Sequence, residues 1–180
     1  MTGEPSLAPA RRRSFFALWP DDATRQAIAR ATRRAVRECG GKPTPRANLH
    51  VTLAFLGPVD GDDLVRVEAI EPPPCAPFEL VLDRLGFWDR ARVLWLGPSE
   101  TPAPLGALER ELWDRLAALG FERERKPYAP HVTLARKARG VSAGVERVVW
   151  PVGGIALVES QTGPRHSRYS VLKSWPFAAG

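Results

Sequence analysis

The pentapeptide His50-Val51-Thr52-Leu53-Ala54 returns at His131-Val132-Thr133-Leu134-Ala135. Each copy offers an imidazole and, two residues on, a hydroxyl. In an extended strand alternate side chains share a face. His50 and Thr52 therefore point one way and Val51 and Leu53 the other, and the second copy repeats the arrangement. Ala54 and Ala135 continue the His/Thr face as small residues that leave room for a ligand. Imidazole gives and takes protons near neutral pH. Two of them facing each other suit paired acid–base catalysis, one taking a proton from an attacking oxygen and the other giving one to a leaving oxygen. Threonine hydroxyls can donate to the non-bridging oxygens of a phosphoryl group, where charge must be held during transfer.

Other chemistries fit less well. A zinc site needs three or four ligands, and no further His, Cys or acid is spaced near either motif, so neither metal nor cofactor is expected. No acid stands where it would orient one histidine in a nucleophilic triad. A lone His-x-Thr strand is usually only a half-buried strand, but two copies with the same neighbours favour a site. His166, in the polar run 160–168, reads as a surface histidine. Cys39 and Cys75 match no metal or redox spacing and read as reduced thiols of a cytoplasmic protein.

A chain of 180 residues is long enough for one domain with a sizeable core. No stretch is long and apolar enough to span a bilayer. The net charge of +6 comes mostly from arginine. It fits either a solvated surface or a polyanionic partner such as RNA. Arg123, Arg125, Lys126, Arg136, Lys137 and Arg139 flank the second motif, which raises the second possibility. Residues 1–13, ending in Arg11-Arg12-Arg13, read as a disordered arm before a single domain over 14–180.

The elements that must position the motifs follow from periodicity. Residues 14–19 read as a buried strand. Asp21 or Asp22 then caps a helix to about Cys39, with Ile28, Ala31 and Ala35 on its inner side and Gly40-Gly41 ending it. The first motif strand closes at Gly57-Pro58. Residues 60–70 read as a short helix and 78–85 as a strand, with a turn over 86–91 before a strand at 92–96. Leu105, Leu108, Leu112, Leu116 and Leu119 mark the clearest helix. After the second motif, 141–149 reads as a short helix or a loop, and 152–159 and 169–177 as final strands. The order strand, helix, motif strand occurs twice in outline. It implies an α+β architecture: two mostly antiparallel sheets facing a central cleft, with helices outside.

With these pieces assembled, the chain resembles the 2H phosphoesterase superfamily, named for its paired His-x-Thr motifs. More narrowly it is similar to the RNA 2′,3′-cyclic phosphodiesterases, long called 2′-5′ RNA ligases. The resemblance rests on Phe15-Phe16-Ala17-Leu18 with Pro20, on Asn48 to Gly57, on Val93 to Gly97, on Pro130 to Arg136, and on Glu159-Ser160 with Gly163-Pro164 and Tyr169. It departs between the first motif and Pro72, and over 138–150. It implies a bilobal pseudo-twofold fold and metal-independent hydrolysis of RNA 2′,3′-cyclic phosphate ends to 2′-phosphomonoesters by a monomer. His50 would be the general acid at the 3′ oxygen and His131 the general base. Thr52 and Thr133 would hold the phosphoryl oxygens. Arg136 would add positive charge, although strict alternation points it to the back face. The resemblance also implies Tyr128 and Phe16 as substrate-binding residues, while residue type alone makes Phe15, Phe16 and Trp19 core aromatics. Ligation, the same chemistry with a 5′-hydroxyl in place of water, and an RNA-binding module without turnover are the alternatives.

Overall fold

A computed structural model describes residues 12–161, 163 and 167–178. His166 and residues 1–11 of the expected arm lie outside the described residues. Arg12 and Arg13, also assigned to the arm from sequence, instead open the first strand opposite Val59 and Pro58.

In chain order the elements are β1 (Arg12–Leu18), α1 (Asp22–Glu38), β2 (Lys42–Pro43), a single 3₁₀ turn (Arg46–Asn48), β3 (Val51–Val59), α2 (Gly61–Glu68), β4 (Phe78–Leu82), β5 (Arg84–Trp88), β6 (Val93–Gly97), α3 (Ala103–Ala118), β7 (Val132–Arg136), β8 (Val148–Val152), β9 (Gly154–Gln161) and β10 (Arg168–Pro176). The Asp21 carboxylate accepts from the Thr24 amide at 2.7 Å and caps α1. Asp60 caps α2 in the same way, at 2.9 Å from the Asp63 amide. Gly40, at φ 60°, takes the chain out of α1 through a conformation that costs other residues strain.

The fold is α+β, and every strand pair is antiparallel. The main sheet runs β10-β9-β1-β3-β7-β6-β5, with β2 added against β7. It consists of two halves, for β3 and β7 pair only at Val51 and Val132. Each half contributes one motif strand to that junction, which is the bilobal plan with its local twofold axis.

The back of the sheet carries the main core. Leu18, Val51, Leu53, Leu96, Val132 and Leu134 meet Ile28 and Ala35 of α1, Leu64 and Val67 of α2, and the α3 stripe Leu105, Leu108, Leu112 and Leu116. The strand read over 78–85 breaks at Asp83, whose carboxylate takes both the amide and the hydroxyl of Ser99. The segment before it, β4, leaves the main sheet and pairs with β8, placing Leu80, Leu82 and Trp150 in the same core. The turn expected over 86–91 is shorter, because β5 continues to Trp88. Gly86 lies so close to the Trp95 ring that an added Cβ would sit 2.0 Å from it. That absence of a side chain lets the indole lie flat across the two strands. Residues 138–147 form no regular element, which settles the loop alternative for the first part of 141–149, and its end, Val148 and Val149, belongs to β8.

Candidate active site

The antiparallel pair Val51–Val132 places the motifs. Extending that register by one residue each way sets His50 opposite Thr133 and Thr52 opposite His131. Opposed residues share a face, so all four side chains stand on the side of the sheet away from the main core. All four are half-buried.

A bulge then re-aims each motif strand. Ala17 pairs with Thr52 but Phe16 with Ala54, so β3 carries one extra residue there. Trp95 pairs with Thr133 but Leu94 with Ala135, giving β7 the same irregularity. An extra residue reverses the side-chain alternation beyond it. Ala54 and Ala135 therefore do not continue the His/Thr face; they are buried with Phe16 and Leu94 in the main core. The same step brings Phe55 and Arg136 onto the motif face. Strict alternation had turned Arg136 to the back, and the bulge is the strand-end irregularity its expected place requires.

Both histidines are held alike. His50 Nδ1 lies 2.7 Å from the Asn48 carbonyl oxygen and His131 Nδ1 lies 2.8 Å from that of Ala129. A carbonyl oxygen only accepts, so each Nδ1 carries the proton and each Nε2 is left as the basic nitrogen. The Thr52 hydroxyl donates to His50 Nε2 at 3.1 Å. The rings of Phe15, Trp19 and Tyr169 enclose His50, with centroids at 4.8, 5.7 and 5.4 Å. Trp88 stands edge-on to His131 at 4.5 Å. Tyr169 and Trp88 come from elements remote in sequence, so no local pattern marks them as neighbours of the motifs.

Among known proteins, the model of the 2′-5′ RNA ligase superfamily matches residues 20–164. The chain belongs to this superfamily. The RNA 2′,3′-cyclic phosphodiesterase of Escherichia coli is 34% identical over 139 residues, covering 75% of this chain and 79% of that protein. The protein of the same name from Thermus thermophilus is 31% identical, covering 91% and 89%. The crystal structure of E. coli LigT complexed with 3′-AMP superposes with a TM-score of 0.82 at 30% identity, covering 93% of this chain and 98% of that one.

Two of the substrate-binding residues implied by the family resemblance are placed otherwise. Phe16 has no exposed surface and packs against Trp175 in the main core, so it cannot touch a ligand. The β1 register turns its neighbour Phe15 to the motif face instead. Tyr128 packs on the main core, and its hydroxyl donates to the Thr52 carbonyl oxygen at 3.2 Å. It ties the approach to the second motif to the first motif strand, and burial pushes its ionisation well up.

Burial pushes the His50 pKa from 6.5 down to about 4, with its hydrogen bond to Asn48 opposing and the positive charges of His131, Arg136 and Arg25 adding to the fall. Burial likewise lowers His131, against its bond to Ala129, and Arg136 lowers it further. The motif face thus resists further positive charge, as an anion site does.

The sign of the pH dependence follows. Between pH 6.5 and about 4 the folded chain binds fewer protons at His50 than the unfolded chain. The stability this contributes is complete above the unfolded value and is lost as pH falls through that window. The melting temperature should therefore fall more steeply from pH 6.5 to 4 in the wild type than in His50→Gln, and inorganic phosphate should reduce the fall. Parallel curves in a thermal-shift titration would show that His50 is not held neutral.

Proposed function

We propose that this chain is an RNA 2′,3′-cyclic phosphodiesterase that opens cyclic ends to 2′-phosphomonoesters. The observation that supports it best is the pair of Nδ1-anchored histidines and threonines gathered about one local twofold axis, with Arg136 on the same face. The relatives' names point to the same reaction.

In this reading the cyclic phosphate lies over the Val51–Val132 junction, its non-bridging oxygens facing the Thr52 and Thr133 hydroxyls and Arg136. In-line displacement puts the attacking and leaving oxygens on opposite sides of phosphorus, and the twofold arrangement offers one histidine to each. His131 Nε2 takes a proton from water as its oxygen bonds to phosphorus. The bond to the 3′ oxygen breaks, and His50 Nε2 supplies the proton that oxygen needs. With both pKa values held below 6.5, the rings are neutral at pH 7 until an anion binds. The negative charge of the substrate raises the His50 pKa on binding and so draws in the proton used next. The 2′ oxygen keeps the phosphate. Only RNA can present such an end, because the ring requires the 2′ oxygen.

Phosphorus NMR of an RNA oligonucleotide with a 2′,3′-cyclic end, incubated with the protein in excess chelator, tests this directly. The expected product is the 2′-phosphate. A 3′-phosphate would reverse the roles of the histidines or the substrate. Activity lost in chelator and restored by zinc, manganese or magnesium would replace the two-histidine scheme with metal-assisted hydrolysis. A 2′-5′ linkage formed with an added 5′-hydroxyl RNA would identify ligation, and tight binding without turnover would identify a binding module.

A further inference from the structure

α1 turns Ile28, Thr32 and Ala35 inward, and its outer side exposes Arg30, Arg33, Arg34 and Arg37. These positions, three and four residues apart, form one stripe about 10 Å long. No acidic residue occurs from Ala23 to Arg37. Arg34 is paired with Glu38 at 2.8 Å, whereas Arg30, Arg33 and Arg37 form no ion pair among the described residues. The basic cluster around the second motif is partly committed elsewhere: Arg123 pairs with buried Glu109, and Arg139 donates to the Glu38 carbonyl.

The stripe is flanked by grooves rather than standing as a bare ridge. One, of about 490 Å³, lies between α1 and residues 144–146, with Glu146 its acidic member. The other, of about 290 Å³, is reached by Arg33, Arg37 and Arg46 and runs to Leu49 and Leu134. Leu49 and Leu134 neighbour His50 and Thr133 in the chain but pack into the main core, so this groove lies behind the motif face. Exposed Arg46 shares the second groove with Arg33 and Arg37 and adds to the basic surface on this side of the sheet.

We propose that the arginine face of α1 is a second RNA-binding surface, which holds backbone phosphates of an RNA strand outside the active site. The proposal rests on the RNA reading above. Guanidinium forks match phosphate oxygens in geometry and charge. Contacts of this kind position a strand without reading its bases. The ligand is therefore an extended polynucleotide backbone, and the surface distinguishes long RNA from a mononucleotide.

The test compares wild type with the variant carrying Arg30→Ala, Arg33→Ala and Arg37→Ala together. Alanine favours helix, so α1 is preserved, which circular dichroism checks. The probes are a single-stranded RNA of about 20 nucleotides ending in a 2′-phosphate, read by fluorescence anisotropy across salt, and turnover of 2′,3′-cyclic CMP. Kd for the RNA should rise roughly tenfold and the salt slope should shrink by about 2, the release expected from three phosphate contacts on a single strand. Turnover of cyclic CMP should be unchanged, and lysine at the same three positions should keep most of the binding. Unchanged RNA affinity and salt slope would overturn the proposal, as would an equal loss on cyclic CMP. If the three arginines governed binding to phosphatidylserine vesicles and left RNA binding intact, the face would be a membrane surface instead. Loss of RNA binding in the variant, with a wild type that opens no cyclic end, would sink the activity and leave this surface standing.

Discussion

Replacing either His50 or His131 by alanine should lower turnover of a cyclic-phosphate-ended RNA by roughly 10²–10⁴-fold, the usual contribution of one positioned acid or base. Both imidazoles present Nε2 because a backbone carbonyl two residues upstream holds Nδ1–H. Alanine removes that nitrogen. The fold should persist in both variants, since the back-facing Val51, Leu53, Val132 and Leu134 carry the packing of these strands. His50→Ala loses ring contacts with Phe15, Trp19 and Tyr169, so its melting temperature should drop more than that of His131→Ala. The pH profile of kcat separates the roles. Loss of the acid should flatten the alkaline limb, and loss of the base the acid limb. A single variant that turns over at near-normal rate, with its circular dichroism intact, would remove that histidine from the chemistry.

What could be read from the sequence was local. The alternation in His50 to Leu53 and in His131 to Leu134 separates core from site within a strand, and the leucine stripe from Leu105 to Leu116 defines α3. Direction beyond a bulge was not available in this way. The extra residue in β3 exists only relative to β1, and that in β7 only relative to β6. Ala54, Ala135 and Arg136 could therefore not be oriented from their own segments. The same holds for Phe15 and Phe16. Adjacent strand residues must face opposite ways, but only the register with β3 and β9 decides which one meets His50. The break at Asp83 belongs to this class too, because the pairing of β4 with β8 joins segments about 70 residues apart.

The arginines of α1 show a related limit. Their spacing places them on the side opposite Ile28 and Ala35, and that much is visible in the sequence. Whether such a face is merely solvated depends on what lies beside it. Here the neighbours are Arg46 on one flank and the 144–146 segment on the other, neither of which helical periodicity can bring into view. The charge expected around the second motif was in part misleading for the same reason, since Arg123 is matched by buried Glu109 of α3.

Thr52→Val and Thr133→Val should each reduce kcat by about 10²–10³-fold, the cost of removing one donor aimed at charge that develops in the transition state. Valine keeps the β-branch and nearly the same shape, so strand geometry is retained and only the hydroxyl is lost. The two substitutions are not equivalent. The Thr52 hydroxyl donates to His50 Nε2 at 3.1 Å. Binding of the phosphoryl group must draw that hydroxyl away, or share it, leaving His50 Nε2 to take up a proton. Thr52→Val therefore removes a donor to phosphate and also a contact that orients the ring, and it should be the more damaging of the two. It should also raise the His50 pKa measured by proton NMR in the ligand-free protein, because the hydroxyl's donation favours the neutral ring. Thr133→Val should leave that titration unchanged. KM should move less than kcat in both variants, since a donor matched to developing charge contributes most after the ground state. A rise in KM with kcat intact would mean that the threonines bind substrate and transition state alike, and the scheme in which they hold charge that develops on the phosphoryl oxygens would be wrong.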